Sequence, residues 1–166
     1  NIHHAFFTAI NTAKKNIRLV SPYFIPDESL LMALKTAASG GVKVEIILPG
    51  IVDSYFVQYS ARSYVQQLLY YDIHVYFYEK GFVHAKILLI DDLLSIIGTA
   101  NFDYRSFYQN FEISALIYDQ ASTQELIEQF EKDKSDSAKL NLRAWKRRPL
   151  KNKVFESFAR LYAPLI

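Results

Sequence analysis

The run Phe82-Val83-His84-Ala85-Lys86-Ile87-Leu88-Leu89-Ile90-Asp91, with Ile96-Ile97-Gly98-Thr99-Ala100-Asn101 after it, decides the fold of this chain. Two apolar stretches, Ile87 to Ile90 and Leu93 to Ile97, flank an Asp91-Asp92 corner, which predicts a pair of buried strands. Polar residues stand just outside those stretches, where a sheet opens to solvent. In an extended strand His84 and Lys86 are two apart and project from one face, and the same spacing links Thr99 to Asn101. An imidazole, an ammonium, a hydroxyl and a carboxamide are thereby expected to converge, a set suited to handling a phosphate.

Working outward, the neighbouring segments alternate between strand and helix. Residues 2 to 15 read as a helix with Phe6, Phe7 and Ile10 on its apolar face, and His3 and His4 read as frayed surface residues at its start. Ile17 to Val20 is a short strand that runs into the loop Ser21-Pro22-Tyr23-Phe24-Ile25-Pro26. That loop leaves the carboxyl end of a strand, the usual place for sites in α/β sheets, so Tyr23 and Phe24 are candidates to line a pocket mouth. Asp27 is placed to cap a helix carrying Leu30, Leu31, Leu34 and Ala38, which Gly40-Gly41 ends. Strand Val42 to Leu48, a helix from Asp53 to about Tyr70, and strand Ile73 to Tyr78 follow. His74, inside that strand, reads as a hydrogen-bonded structural histidine.

Beyond the motif, Phe111 to Tyr118 alternates as a strand, and Ser122-x-x-Glu125 is a capping box opening a helix to about Lys134. The polar stretch Lys132 to Lys139 reads as a loop. The order strand, helix, strand, helix, strand implies parallel pairing. The predicted class is α/β: a mixed, largely parallel sheet flanked by helices on both faces. No repeat or linker divides the chain, so 1–166 is read as a single domain with a basic helical tail from about 139.

The net charge of +2 hides an asymmetry. Residues 139 to 160 hold eight basic side chains and one acid, Glu156, whereas the rest of the chain holds 11 basic and 16 acidic residues. Such a tail suits an anionic partner, or is simply a solvated basic helix. From Leu142 to Leu165 the basic residues alternate with Trp145, Val154, Phe155, Phe158, Leu161 and Tyr162; packing back on the domain is favoured over lying on a membrane. There is no cysteine, which excludes disulfides and thiolate chemistry. No H-E-x-x-H and no carboxylate cluster beyond Asp91-Asp92 appears, so neither a metal nor a cofactor is expected. No apolar run reaches the ~20 residues that span a bilayer.

His84-x-Lys86, Asp91 and Gly98-Thr99-x-Asn101 together resemble the HKD signature of the phospholipase D superfamily. A lone H-x-K means little, but six specified positions in register arise by chance with odds on the order of one in a hundred thousand. The run Gly98 to Phe107, the Asn110-Phe111-Glu112 that follows, and the Ser21 to Pro26 loop resemble the C-terminal half of bacterial cardiolipin synthases. The likeness covers nearly the whole chain.

The resemblance implies metal-independent phosphoryl chemistry, with His84, Lys86, Thr99, Asn101 and Glu112 as catalytic residues. Asp91 and Gly98 take structural places in the motif. Glu112 is the natural acceptor for the second nitrogen of His84. One motif is half a site. A partner half, from the parent chain or a second copy, is implied, and one of the two histidines carries a phosphohistidine. With phosphatidylglycerol as substrate, the implied reaction is transfer of a phosphatidyl group to a second phosphatidylglycerol, giving cardiolipin and glycerol. The chain opens at Asn1 and is expected to be a soluble segment of a longer protein held at the bacterial cell membrane by its other parts. Two alternatives stand beside this reading: a single-motif phosphodiesterase that dimerises to cut nucleic acid, although no nucleic acid is expected as partner, and an isolated half that folds without turnover.

Overall fold

The computed structural model describes residues 1–162. In chain order the elements are α1 (Ile2–Thr12), β1 (Asn16–Val20), β2 (Phe24–Ile25), α2 (Glu28–Ser39), β3 (Lys43–Pro49), α3 (Tyr55–Tyr70), β4 (His74–Tyr78) and β5 (Ile87–Ile90). They continue with β6 (Leu94–Gly98), β7 (Phe102–Asp103), α4 (Tyr104–Tyr108), β8 (Ser114–Tyr118), α5 (Gln120–Ser135), β9 (Ser137–Lys139), α6 (Leu142–Lys146) and α7 (Leu150–Tyr162). Seven strands form one sheet in the order β8-β6-β5-β1-β3-β4-β9, and β2 pairs with β7 separately.

The sheet is mixed and lies between helices, as the alternation implies. The share of parallel pairing is smaller than expected. Within the seven-stranded sheet only β1–β3 and β3–β4 run parallel, the two places where a helix carries the chain back to the same end; the short β2–β7 pair is parallel too. The tight Asp91 corner allows only antiparallel β5–β6, and β8, β9 and the β1–β5 pair are antiparallel as well. Strand β9 replaces the predicted Lys132 to Lys139 loop. Its three residues bury little and are held by backbone pairing of Phe77 with Ala138, which leaves no hydrophobic trace in the sequence.

Alternation along the strands sorts the core onto two faces. Ile17, Leu19, Ile46, Leu48, Val75, Leu88 and Ile96 point towards α1, α2 and α3. Val20, Ile47, Tyr76 and Leu89 point the other way, onto Ile127 and Phe130 of α5. The basic tail packs back on α3. The guanidinium groups of Arg62 and Arg148 lie over the Trp145 ring, 4.7 and 5.0 Å from its centre, and Glu156 is buried beside both arginines. The end of the Leu142 to Leu165 stretch falls outside the described residues.

Several local expectations change for physical reasons. His3 is buried rather than frayed. Its Nε2 lies 2.7 Å from Asp27 Oδ2 and 3.1 Å from Ser29 Oγ, pinning the start of α1 to the start of α2. Asp27 caps α2 as expected, accepting the Leu30 N–H. Ser54, not Asp53, caps α3, and Asp119, not Ser122, caps α5. His74 Nδ1 is buried without a hydrogen-bond partner, so the predicted hydrogen bond is not formed there. No described helix is long and apolar enough to cross a membrane.

Gly98 closes β6 where β8 passes very near. A Cβ at this position would lie 2.1 Å from the Ile113 carbonyl oxygen and 2.8 Å from Ser114 Cα, both backbone atoms that cannot swing away. Gly98→Ala is therefore expected to destabilise the domain by about 1–3 kcal/mol in chemical denaturation.

Candidate active site

The residues of the H-x-K run sit on an irregular extended stretch just before β5, not within a strand. The ladder nonetheless continues past the strand end, because the Gly98 N–H donates to the Lys86 carbonyl at 3.3 Å. That bond fixes Lys86, whose ammonium donates to the His84 carbonyl at 2.8 Å and lies 3.1 Å from both imidazole nitrogens. His84 is exposed and Lys86 half-buried. Burial pushes the Lys86 pKa down, opposed by the negative charges of Glu112 and Asp103. Two carboxylates thus share the surroundings of this one ammonium.

Thr99 follows β6 and is held from the opposite side. Its N–H donates to the Ile113 carbonyl at 2.9 Å and its hydroxyl oxygen accepts the Ile113 N–H at 3.0 Å. The same hydroxyl donates to Glu112 Oε2, while Glu112 Oε1 accepts from Asn110 Nδ2 at 3.2 Å. The Glu112 carboxylate is therefore engaged with Thr99 and Asn110, and the expected hydrogen bond to His84 is not among its contacts. Tethering of Ile113 to Thr99 explains this: it sets Glu112 in the irregular stretch before β8, facing the hydroxyl.

Asn101 turns towards a cavity of about 430 Å³, lined also by Tyr23, Ile25, Val57, Asp103, Tyr104, Arg105 and Asn110. Its Oδ1 is buried and has no hydrogen-bond partner. Asp103 caps α4 by accepting the Ser106 N–H at 2.7 Å. Burial raises the Asp103 pKa, against the lowering effect of Ser106 and the Asn101 side chain. Asn110 lines the cavity and holds Glu112, and Asp103 lines it and acts on Lys86. The two groups of side chains are thus parts of one region.

The loop after β1 contributes Tyr23 and withholds Phe24. Ser21 donates to the Tyr23 carbonyl at 2.7 Å and accepts the Phe102 N–H at 3.0 Å, tying the loop to β7. The Tyr23 hydroxyl donates to Asp53 at 2.6 Å, which pushes the Tyr23 pKa up to about 12. Phe24 is fully buried and stacks on Phe102 at 5.4 Å, so it is core and not cavity wall.

A family model described as cardiolipin synthase, PLD-like domain, matches residues 6–134. The chain belongs to this family. It is 42% identical to a cardiolipin synthase of Geobacillus sp. (strain WCH70) over 165 residues, 99% of this chain and 33% of that protein. Cardiolipin synthase 1 of Staphylococcus epidermidis is 44% identical over the same span, 34% of its length. The chain spans about a third of the length of these relatives. Among solved structures it resembles Nuc, a phospholipase D family member of Salmonella typhimurium, with a TM-score of 0.73 at 19% identity, covering 84% of this chain and 90% of that one. Phosphatidylserine synthase of Haemophilus influenzae gives a TM-score of 0.74 at 18% identity, over 99% of this chain and 44% of that one. At such identities these two establish the shared fold.

In this PLD-like domain Asp91 stands at the far end of the β5–β6 hairpin from His84. It adopts a left-handed conformation, φ 52°, and its carboxylate accepts the N–H groups of Lys14, Lys15 and Asn16 at 3.1, 2.7 and 2.9 Å. Asp103, Tyr104, Arg105 and Asn110 were not singled out as site candidates in the sequence. Their signal was present in the run Gly98 to Asn110, where polar residues interrupt the aromatics immediately after the motif.

Proposed function

We propose that this PLD-like domain supplies one half of a phosphatidyl-transfer site that joins two phosphatidylglycerol molecules into cardiolipin and glycerol. The observation that carries the reading is the Lys86 ammonium lying against His84, within the influence of Glu112, which holds the Thr99 hydroxyl, and of Asp103, which lines the same cavity as Asn101. A phosphodiester repels nucleophiles through its own charge, and catalysis requires positive charge and donors aimed at the oxygens where charge builds. Lys86 supplies the first. The Asn101 amide supplies a neutral donor, and the Thr99 hydroxyl becomes a second when its one proton turns from Glu112 to a phosphate oxygen.

Two histidines divide the chemistry. One attacks phosphorus, forming a P–N bond as the bond to the departing glycerol oxygen breaks, and the other gives that oxygen its proton. A glycerol hydroxyl of a second phosphatidylglycerol then loses its proton to the second histidine and attacks phosphorus, breaking the P–N bond. One phosphodiester is consumed and one formed, so no nucleotide is needed. We assign the proton-transfer role to His84. The opposing histidine comes from the other half of a longer chain or from a second copy. The reaction would take place at the bacterial cell membrane, where the substrate resides.

The test is thin-layer chromatography of labelled phosphatidylglycerol incubated with a protein carrying both halves. A cardiolipin spot with release of glycerol is expected, and a supercoiled plasmid in the same buffer should remain intact. Plasmid nicking that disappears on replacing His84 would contradict the lipid reading in favour of a nuclease.

A further inference from the structure

We infer that α7 is a docking face for an anionic lipid bilayer. The helix is built the wrong way round for a surface helix. Towards the domain it turns Ala159 and the carboxylate of Glu156, both buried. Glu156 accepts from Arg148 Nε at 2.9 Å and from Arg62 Nε at 3.4 Å, and the Ser60 hydroxyl donates to the Ala159 carbonyl at 3.2 Å. These bonds fix the rotation of the helix. Away from the domain it turns Leu150, Val154, Phe158 and Leu161, spaced three or four apart and between 55% and 76% exposed.

An apolar stripe of this kind, facing water at a helical repeat, marks an interaction surface. The charge around it selects the partner. Arg143, Lys146 and Arg147 just before the helix and Lys151 on it are exposed, and the only acid between residues 139 and 160 is the buried, paired Glu156. A second copy presenting the same face would bring like charges together. A bilayer surface rich in anionic lipid offers hydrocarbon to the stripe and phosphates to the rim, the combination that holds amphipathic helices at membrane interfaces.

The position of α7 fits this use. Its Arg160 lines a groove of about 300 Å³ that shares Ile25 and Tyr104 with the cavity holding Asn101. A domain resting on α7 therefore has a groove leading from the helix to the candidate site. The docking face itself does not depend on the reaction proposed above.

Sedimentation of this chain with vesicles tests the inference. Binding to phosphatidylglycerol-containing vesicles is expected, with far weaker binding to pure phosphatidylcholine and a steep loss between about 0.05 and 0.5 M salt. Val154→Ser with Phe158→Ser, both at exposed positions, should weaken binding about tenfold or more. The charge reversal Lys146→Glu with Lys151→Glu should weaken binding to the anionic vesicles alone. The Val154/Phe158 variant should still respond to inorganic phosphate at His84 as the unaltered chain does, which separates this inference from the catalytic one. Failure of the unaltered chain to bind, binding unchanged in both double variants, or a dimer in solution that the Val154/Phe158 variant disperses would overturn it.

Discussion

Replacing His84 by alanine should lower cardiolipin formation by a two-half protein about ten-thousandfold or more while leaving the fold unchanged. The size follows from the proposed role: removing a group that protonates a poor alkoxide leaving group, and then activates the acceptor hydroxyl, would forfeit general acid and base catalysis in both steps. The fold should survive because the imidazole is exposed and its partners are Lys86 and the ring of Phe82, 5.4 Å away. Lys86→Met should cost about a hundredfold to a thousandfold, since Thr99 and Asn101 remain as neutral donors to the phosphate. Chromatographic rates measured beside circular dichroism melts check both. A His84→Ala protein that retains a tenth of its activity would remove His84 from the chemistry.

The second large effect is on stability. Asp91→Ala leaves the N–H groups of Lys14, Lys15 and Asn16 without their acceptor and forces alanine into a left-handed conformation. The expected loss is about 3 kcal/mol, or roughly 6–12 °C in melting temperature for a domain of this size. Burial works to raise the Asp91 pKa, but the three N–H donors and the Lys15 charge hold it below the ordinary carboxylate value. A carboxyl with a depressed folded-state pKa stabilises the fold above its unfolded pKa, and that contribution disappears as pH falls through the folded value. Asp91→Asn tolerates the left-handed backbone but carries no charge, so its stability should be less pH-dependent in the acid range. Denaturant titrations of both proteins between neutral pH and about pH 2 measure the difference.

The parts of this fold that could be read in advance are those where one physical signal dominates. The apolar runs of β5 and β6 and the Asp91 corner specify the hairpin. The glycines at 40 and 41 and the stripe Leu30, Leu31, Leu34 specify the end and inner face of α2. Strand β9 could not be read because Ser137-Ala138-Lys139 is held mainly by backbone pairing with β4, with no apolar side chain larger than alanine. The buried place of His3 rests on a carboxylate 24 positions away, which only the packing of α1 against α2 brings near. In the site, the i, i+2 spacing correctly joined His84 to Lys86. It could not show that the Thr99–Ile113 pairing would give Glu112 to the hydroxyl, or that Phe24 would stack on Phe102 while Tyr23 reached the cavity.

In the proposed function, His84, Lys86, Thr99 and Asn101 form one anion-binding surface. Proton–nitrogen correlation spectra of the His84 imidazole, recorded while inorganic phosphate is added to this chain, test it most directly. The imidazole resonances should move with a saturable, roughly millimolar dissociation constant, and the movement should be lost in Lys86→Met. Resonances of His84 that stay still while phosphate shifts other signals, or that move equally in the Lys86 variant, would contradict it.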